Sequence, residues 1–170
     1  MKKLFYSFAA AAFALTFAAC GNKTEAPVEG ADSVQENVEA AEAPTTFFEN
    51  DDLSVTGPEG WEIKKGSFGA ISMEDVNSKE TFKPKMEVRV IKDKTLKDKE
   101  DYYLNETKGT VKGADLNIGD YKFTTFRDDS SKLYHCFAEL PNGGLLEVYT
   151  VYMEPEAEVV KPVVESIKLK

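Results

Sequence analysis

Four extended runs follow one another between Ala114 and Met153, joined by links that are too short for anything but hairpins. The runs are Ala114 to Ile118, Tyr121 to Arg127, Lys132 to Leu140 and Leu145 to Met153. The links are Gly119-Asp120, Asp128 to Ser131 and Pro141-Asn142-Gly143-Gly144. A parallel crossover needs about a dozen residues or more, so these strands are antiparallel neighbours. The last run has apolar residues on both sides, with Leu145, Tyr149, Val151 and Met153 alternating against Leu146, Val148 and Tyr152. Such a strand is covered on two faces.

The same reasoning extends upstream. Lys85 to Lys92 alternates, with Met86, Val88 and Val90 on the core side and Lys85, Glu87 and Arg89 on the other. Asp52 to Thr56 and Trp61 to Lys64 flank Gly57-Pro58-Glu59-Gly60 and read as a first hairpin, with a further strand over Gly69 to Val76. Thr95 caps a helix expected to run to about Lys108, with Gly109 as its stop. Pro155 opens a second helix, in which Val159, Val160, Val163, Val164 and Ile167 recur at three and four residues. That pattern closes on Ser166-Ile167-Lys168-Leu169, and Pro162 inside it should bend or shorten the helix. The expected class is α+β: a mostly antiparallel β-sheet with helices packed on it, as a single globular domain over 47–170.

What precedes this domain differs in kind. Met1-Lys2-Lys3 is a short positive start, Leu4 to Phe17 is largely apolar, and Ala18-Ala19 close the stretch. This is the layout of a secretory signal peptide over 1–19, with an apolar run short for a membrane span. The segment over 20–46 is acidic and poor in large apolar residues, so it reads as a flexible, disordered tether. The whole chain carries 21 basic and 30 acidic side chains. Loss of Lys2 and Lys3 with the signal leaves 19 against 30, a net charge of −11. A surface so acidic excludes nucleic acid as a partner, since that binding neutralises phosphates with a basic patch.

Phe17-Ala18-Ala19-Cys20-Gly21 resembles the bacterial lipobox, in which small residues precede a cysteine that is acylated and becomes the new N-terminus. Phe17 stands where that motif usually has Leu. The resemblance implies lipid attachment at Cys20, a membrane partner through that anchor, and an outer-membrane location in the cell envelope, since Gly21 is not the Asp that retains such proteins at the inner membrane. More than one acyl chain makes attachment stable, at about 0.8 kcal/mol per buried methylene. With Cys20 acylated, Cys136 has no disulfide partner.

The order of elements resembles the PsbP-like α/β/α sandwich shared by photosystem accessory proteins and small bacterial lipoproteins of the DcrB type. The residues that carry it are Leu53-Ser54-Val55-Thr56-Gly57-Pro58-Glu59-Gly60-Trp61, the mid-chain helix, the strand meander and Val163-Val164-Glu165-Ser166-Ile167-Lys168-Leu169. It implies an accessory or binding role and transfers no residue with an assigned chemical task.

The residues themselves offer little chemistry. The one histidine, His135, falls on a strand with Leu133, Phe137 and Glu139, whereas Tyr134, Cys136, Ala138 and Leu140 form the more apolar side. His135 and Cys136 therefore point to opposite faces and cannot act as a nucleophile and base pair. Cys136 reads as a buried thiol. One histidine and one thiol do not make a zinc site, and Asp51-Asp52 and Asp128-Asp129 lack the pattern of a calcium loop. Trp61, Phe68 and Phe82 lie near turns and read as core plugs rather than as an aromatic binding strip. No catalytic residue, cofactor-binding residue or metal ligand is expected. The expected function is a membrane-anchored, non-enzymatic accessory or binding module with an envelope protein among its possible partners. The alternatives are a carboxylate-dependent envelope hydrolase and a proteinaceous inhibitor of an extracellular enzyme, which would use Val76 to Pro84 or Asp128 to Ser131 as its plug.

Overall fold

The computed structural model describes residues 46–170. The expected signal over 1–19, the expected lipid attachment at Cys20 and the expected tether up to residue 45 lie outside the described residues. Thr46, the last residue assigned to the tether, is tied to the domain: it accepts from Gly57 N at 2.8 Å and its hydroxyl donates to Gly57 O at 2.6 Å.

In chain order the strands are β1 (Phe47–Glu49), β2 (Leu53–Thr56), β3 (Glu62–Lys65), β4 (Ile71–Glu74), β5 (Lys85–Ile91), β6 (Val111–Lys112), β7 (Leu116–Ile118), β8 (Tyr121–Asp128), β9 (Leu133–Glu139), β10 (Leu145–Val151) and β11 (Lys168–Leu169). Helix α1 (Leu96–Asp101) runs into a π-type turn over Tyr102–Glu106, and α2 covers Val160–Glu165. The larger sheet has the order β3-β4-β5-β10-β9-β8-β6, with β7 also paired to β8, and every pairing is antiparallel. A smaller sheet has the order β1-β2-β11. The mostly antiparallel α+β architecture expected from the hairpin links is the one observed.

Alternation along the strands creates two unequal faces. Met73, Met86, Val88, Phe123, Cys136, Leu146 and Val148 share the main core face, closed by Leu53 and Val55 of β2 and by Val160, Val163 and Val164 of α2. Each fully buried side chain of this size stabilises by roughly 1.5–3 kcal/mol. On the opposite face a smaller cluster of Phe126, Phe137 and Leu145 is capped by Tyr103, with Leu96 beside it. Beyond this cluster, the β4-β5-β10 part of that face carries the polar side chains Ser72, Glu87, Arg89 and Glu147.

Three local expectations are corrected. The segment Leu53 to Thr56 does not form a hairpin with Trp61 to Lys64: β2 pairs with β1 and β11, while β3 pairs with β4. Leu53, Ser54 and Val55 are all buried, so β2 needs cover on both sides, and Gly57 to Gly60 carries the chain from one sheet to the other. The C-terminal helix is limited to Val160–Glu165 and Lys168–Leu169 is a strand. Pro162 falls in the first turn, where its missing N–H has no intrahelical partner to lose. Helix α1 begins as expected, because the Thr95 hydroxyl accepts from Asp98 N and the Asp98 carboxylate accepts from Thr95 N. It ends with the π-type turn at Glu106 rather than at Lys108.

Candidate functional site

The polar face holds a charged cluster that depends on strand register. On β10, Glu147 is cross-strand to Arg89 of β5 on one side and to Phe137 of β9 on the other. Its side chain is 1% exposed although it lies on the polar face. One carboxylate oxygen accepts from Arg89 Nε, and the other lies 2.9 Å from His135 Nδ1. His135 Nδ1 is also 3.0 Å from the hydroxyl of Tyr103, which the π-type turn lays over β9. A buried carboxylate without partners would be very costly, and here both oxygens are satisfied.

Burial pushes the Glu147 carboxyl up, but the hydrogen bond from His135 together with the charge and hydrogen bond of Arg89 outweigh it and hold it below the usual glutamate value. An ionised carboxylate only accepts, so the proton shared with His135 sits on Nδ1 and the Nε2 side of the ring stays out of this bond. The imidazole is stacked on Tyr149 at 4.4 Å and tilted against Tyr103 at 4.6 Å. Burial and then the charge of Glu147 keep the Tyr103 phenol protonated well above its ordinary range. Lys99 of α1 lies 5.3 Å from the centre of the Phe137 ring, and burial pushes its ammonium down against the opposing pull of Glu147.

A cleft of about 210 Å³ opens over this cluster, lined by Arg89, His135, Glu147 and Tyr149, by Glu87 of β5, and by Ser67 and Phe68 of the β3–β4 turn. Glu87 is paired with Lys85 at 2.6 Å. Phe68 is 89% exposed and has left-handed backbone angles, φ 53° and ψ 38°. The turn that holds it is fixed by Gly66 N to Ala70 O at 2.7 Å, Ala70 N to Ser67 O at 3.0 Å and Asn50 Nδ2 to Gly69 O at 2.7 Å.

The expected division of β9 is observed: Cys136 is buried in the main core and His135 faces the cleft. Burial pushes the Cys136 thiol up to about 12, with a hydrogen bond from Thr125 at 3.6 Å acting the other way. Of the three aromatics expected to plug the core, only Trp61 packs on it. Phe68 stands out at the cleft, and Phe82 stacks on Tyr152 at 4.7 Å with much of its ring exposed. Their turns project away from the core, which proximity to breaker residues does not reveal. Asp52 pairs with Lys92 at 2.6 Å, and Asp128 accepts from Ser130 and Ser131 within its own turn. No group of three or more His, Cys, Asp or Glu that could hold a metal ion occurs among the described residues.

The cluster around Glu147 was missed in the sequence. Its one signal was an acid set between Leu146 and Val148 in a run apolar on both faces apart from Thr150, opposite a strand that offers Arg89.

No family model matches the sequence. No curated protein matches it either. A crystal structure from Bacteroides thetaiotaomicron VPI-5482 aligns with a TM-score of 0.43 at 13% identity, over 69% of this chain and 45% of that one. The chain thus spans less than half the length of that protein.

Proposed function

We propose that this chain is a lipid-anchored protein of the bacterial cell envelope, attached through Cys20 at the outer membrane, and that its domain is a non-enzymatic binding module with its ligand seated over Glu147. The anchor rests on the signal and lipobox pattern at Phe17 to Gly21. The PsbP-like reading belongs with this proposal, supported by α1 and α2 contributing to clusters on opposite faces of the larger sheet.

One observation carries the binding role: a fully buried carboxylate on the polar face holds Arg89 and His135 at the floor of an open cleft. A buried ion pair is a poor device for stability alone, because hydrophobic residues of similar volume often serve as well or better. It does orient two side chains toward a ligand. A carboxylate-dependent hydrolase has less support, since the carboxyl groups of Asp98, Asp128 and Glu147 are each shifted down. A general acid near neutral pH needs the opposite shift. An inhibitor has less support as well, because the Asp128 turn is folded tightly on its own hydrogen bonds.

Native mass spectrometry of the chain purified from its own envelope tests the module. Wild type should carry a non-covalent mass that Arg89→Gln lacks, and an empty wild type rejects the reading. Labelling with an alkyne fatty acid tests the anchor, with signal expected on wild type and none on Cys20→Ala.

A further inference from the structure

We infer that the cleft over Glu147 recognises a single carboxylate borne on a planar apolar group, the carboxylate meeting Arg89, Ser67 and Tyr149 and the apolar group stacking on Phe68. This rests on the binding-module reading and specifies its ligand.

The polar half of the argument is a count of donors. Arg89 meets Glu147 through Nε alone, so its terminal nitrogens have no protein acceptor among the described residues. Ser67 and Tyr149 line the same cleft, and their hydroxyls likewise have no hydrogen-bond partner among the described residues. Burial, with Glu87 and then Glu147, raises the Tyr149 phenol above its ordinary value and keeps it a donor. A guanidinium and two hydroxyl-bearing side chains lining one cleft match an oxyanion.

Charge selects which oxyanion. Glu147 neutralises Arg89, and Lys85 neutralises Glu87. Lys99 lines a separate depression with Lys94, Asp98 and Tyr102 and adds no charge to this cleft. A carboxylate sets one negative charge against the terminal nitrogens of Arg89, whereas a phosphate dianion would set two beside Glu87 and Glu147.

Phe68 supplies the apolar half. A left-handed conformation costs a residue with a Cβ roughly 1–2 kcal/mol, and the large ring it carries is almost wholly in water. The turn is nonetheless pinned by hydrogen bonds at Gly66, Ala70 and Gly69. Strain that is held in place and exposes an aromatic at a cleft is accounted for by a ligand that covers the ring. At about 210 Å³ the space suits the end of a molecule rather than a whole drug-sized one.

The test is an NMR titration of the purified full chain with four probes: phenylacetate, acetate, phenylacetamide and phenyl phosphate. Phenylacetate should shift the signals of Arg89, His135 and Tyr149 with a Kd of about 1 mM, the scale of a fragment this small. Phenylacetamide should bind about tenfold more weakly or worse, having lost the charge-assisted hydrogen bonds. Phe68→Ala, at an exposed position that leaves the core untouched, should weaken phenylacetate about fivefold and leave acetate unchanged. Tyr149→Phe should weaken both acids. Equal or tighter binding of phenylacetamide or phenyl phosphate at these residues overturns the carboxylate inference and leaves the module standing. Unmoved signals with phenylacetate also overturn it, while the native mass of the envelope-purified protein decides the module separately.

Discussion

Glu147 and Arg89 face each other across the β10–β5 pairing, and their side chains meet on the polar face of the larger sheet. Because His135 comes from β9 on the other side of β10, a single buried carboxylate ties three adjacent strands together through their polar faces. Replacing Glu147 with Ala leaves Arg89 without its partner in a half-buried position. It should cost about 3 kcal/mol in urea denaturation at neutral pH.

The same pair sets a pH dependence. Glu147 has its folded-state pKa depressed below the ordinary value of about 4.5. Its stabilisation is therefore complete above that value and lost as pH falls through the lower, folded value. Stability of wild type should drop on acidification below about pH 4.5, and Glu147→Gln should show a shallower drop over the same window. Parallel curves for the two proteins would show that Glu147 is not the titrating group.

Phe68 predicts a trade between stability and binding. Phe68→Gly removes the left-handed penalty, offset in part by the greater freedom of glycine in the unfolded chain. The variant should be as stable as wild type or more stable by up to about 1 kcal/mol, while losing phenylacetate affinity. A clear loss of stability would mean that the ring packs on the domain.

Thr95 acts on the cleft from a distance. Its capping box starts α1, and the turn that follows α1 delivers Tyr103 to His135. Thr95→Ala should cost about 1 kcal/mol, and amide exchange should quicken from Leu96 through Glu106 ahead of the strands.

Cys136 should resist alkylation in the folded protein and react only on unfolding, because burial with a thiol pKa of about 12 leaves almost no thiolate at neutral pH. Rapid labelling under native conditions would place the thiol outside the core.

Gly144 tests the turn before β10. It has φ +83°, and an added Cβ would lie 2.5 Å from the backbone oxygen of Ile91. Gly144→Ala should cost at least about 2 kcal/mol by denaturation, whereas Gly143→Ala, with open space around it, should cost only the strain of its own positive φ.

Sequence by itself determined the antiparallel meander from Tyr121 onward, the core faces of β5 and β9, the cap at Thr95 and the placement of His135 away from Cys136. Each of these follows from local rules: a short link admits only a hairpin, and alternation with period two assigns a side chain to a face. Tertiary structure decided the rest. The small sheet joins β1, β2 and β11 from the two ends of the domain, a pairing that no local pattern in Leu53 to Thr56 or Lys168-Leu169 announces. The cleft was decided in the same way, since Arg89, His135 and Glu147 come from three strands, and Ser67 and Phe68 from a turn. Periodicity could set Arg89 and His135 on the polar side of their own strands, but only the register between strands brings them to one carboxylate.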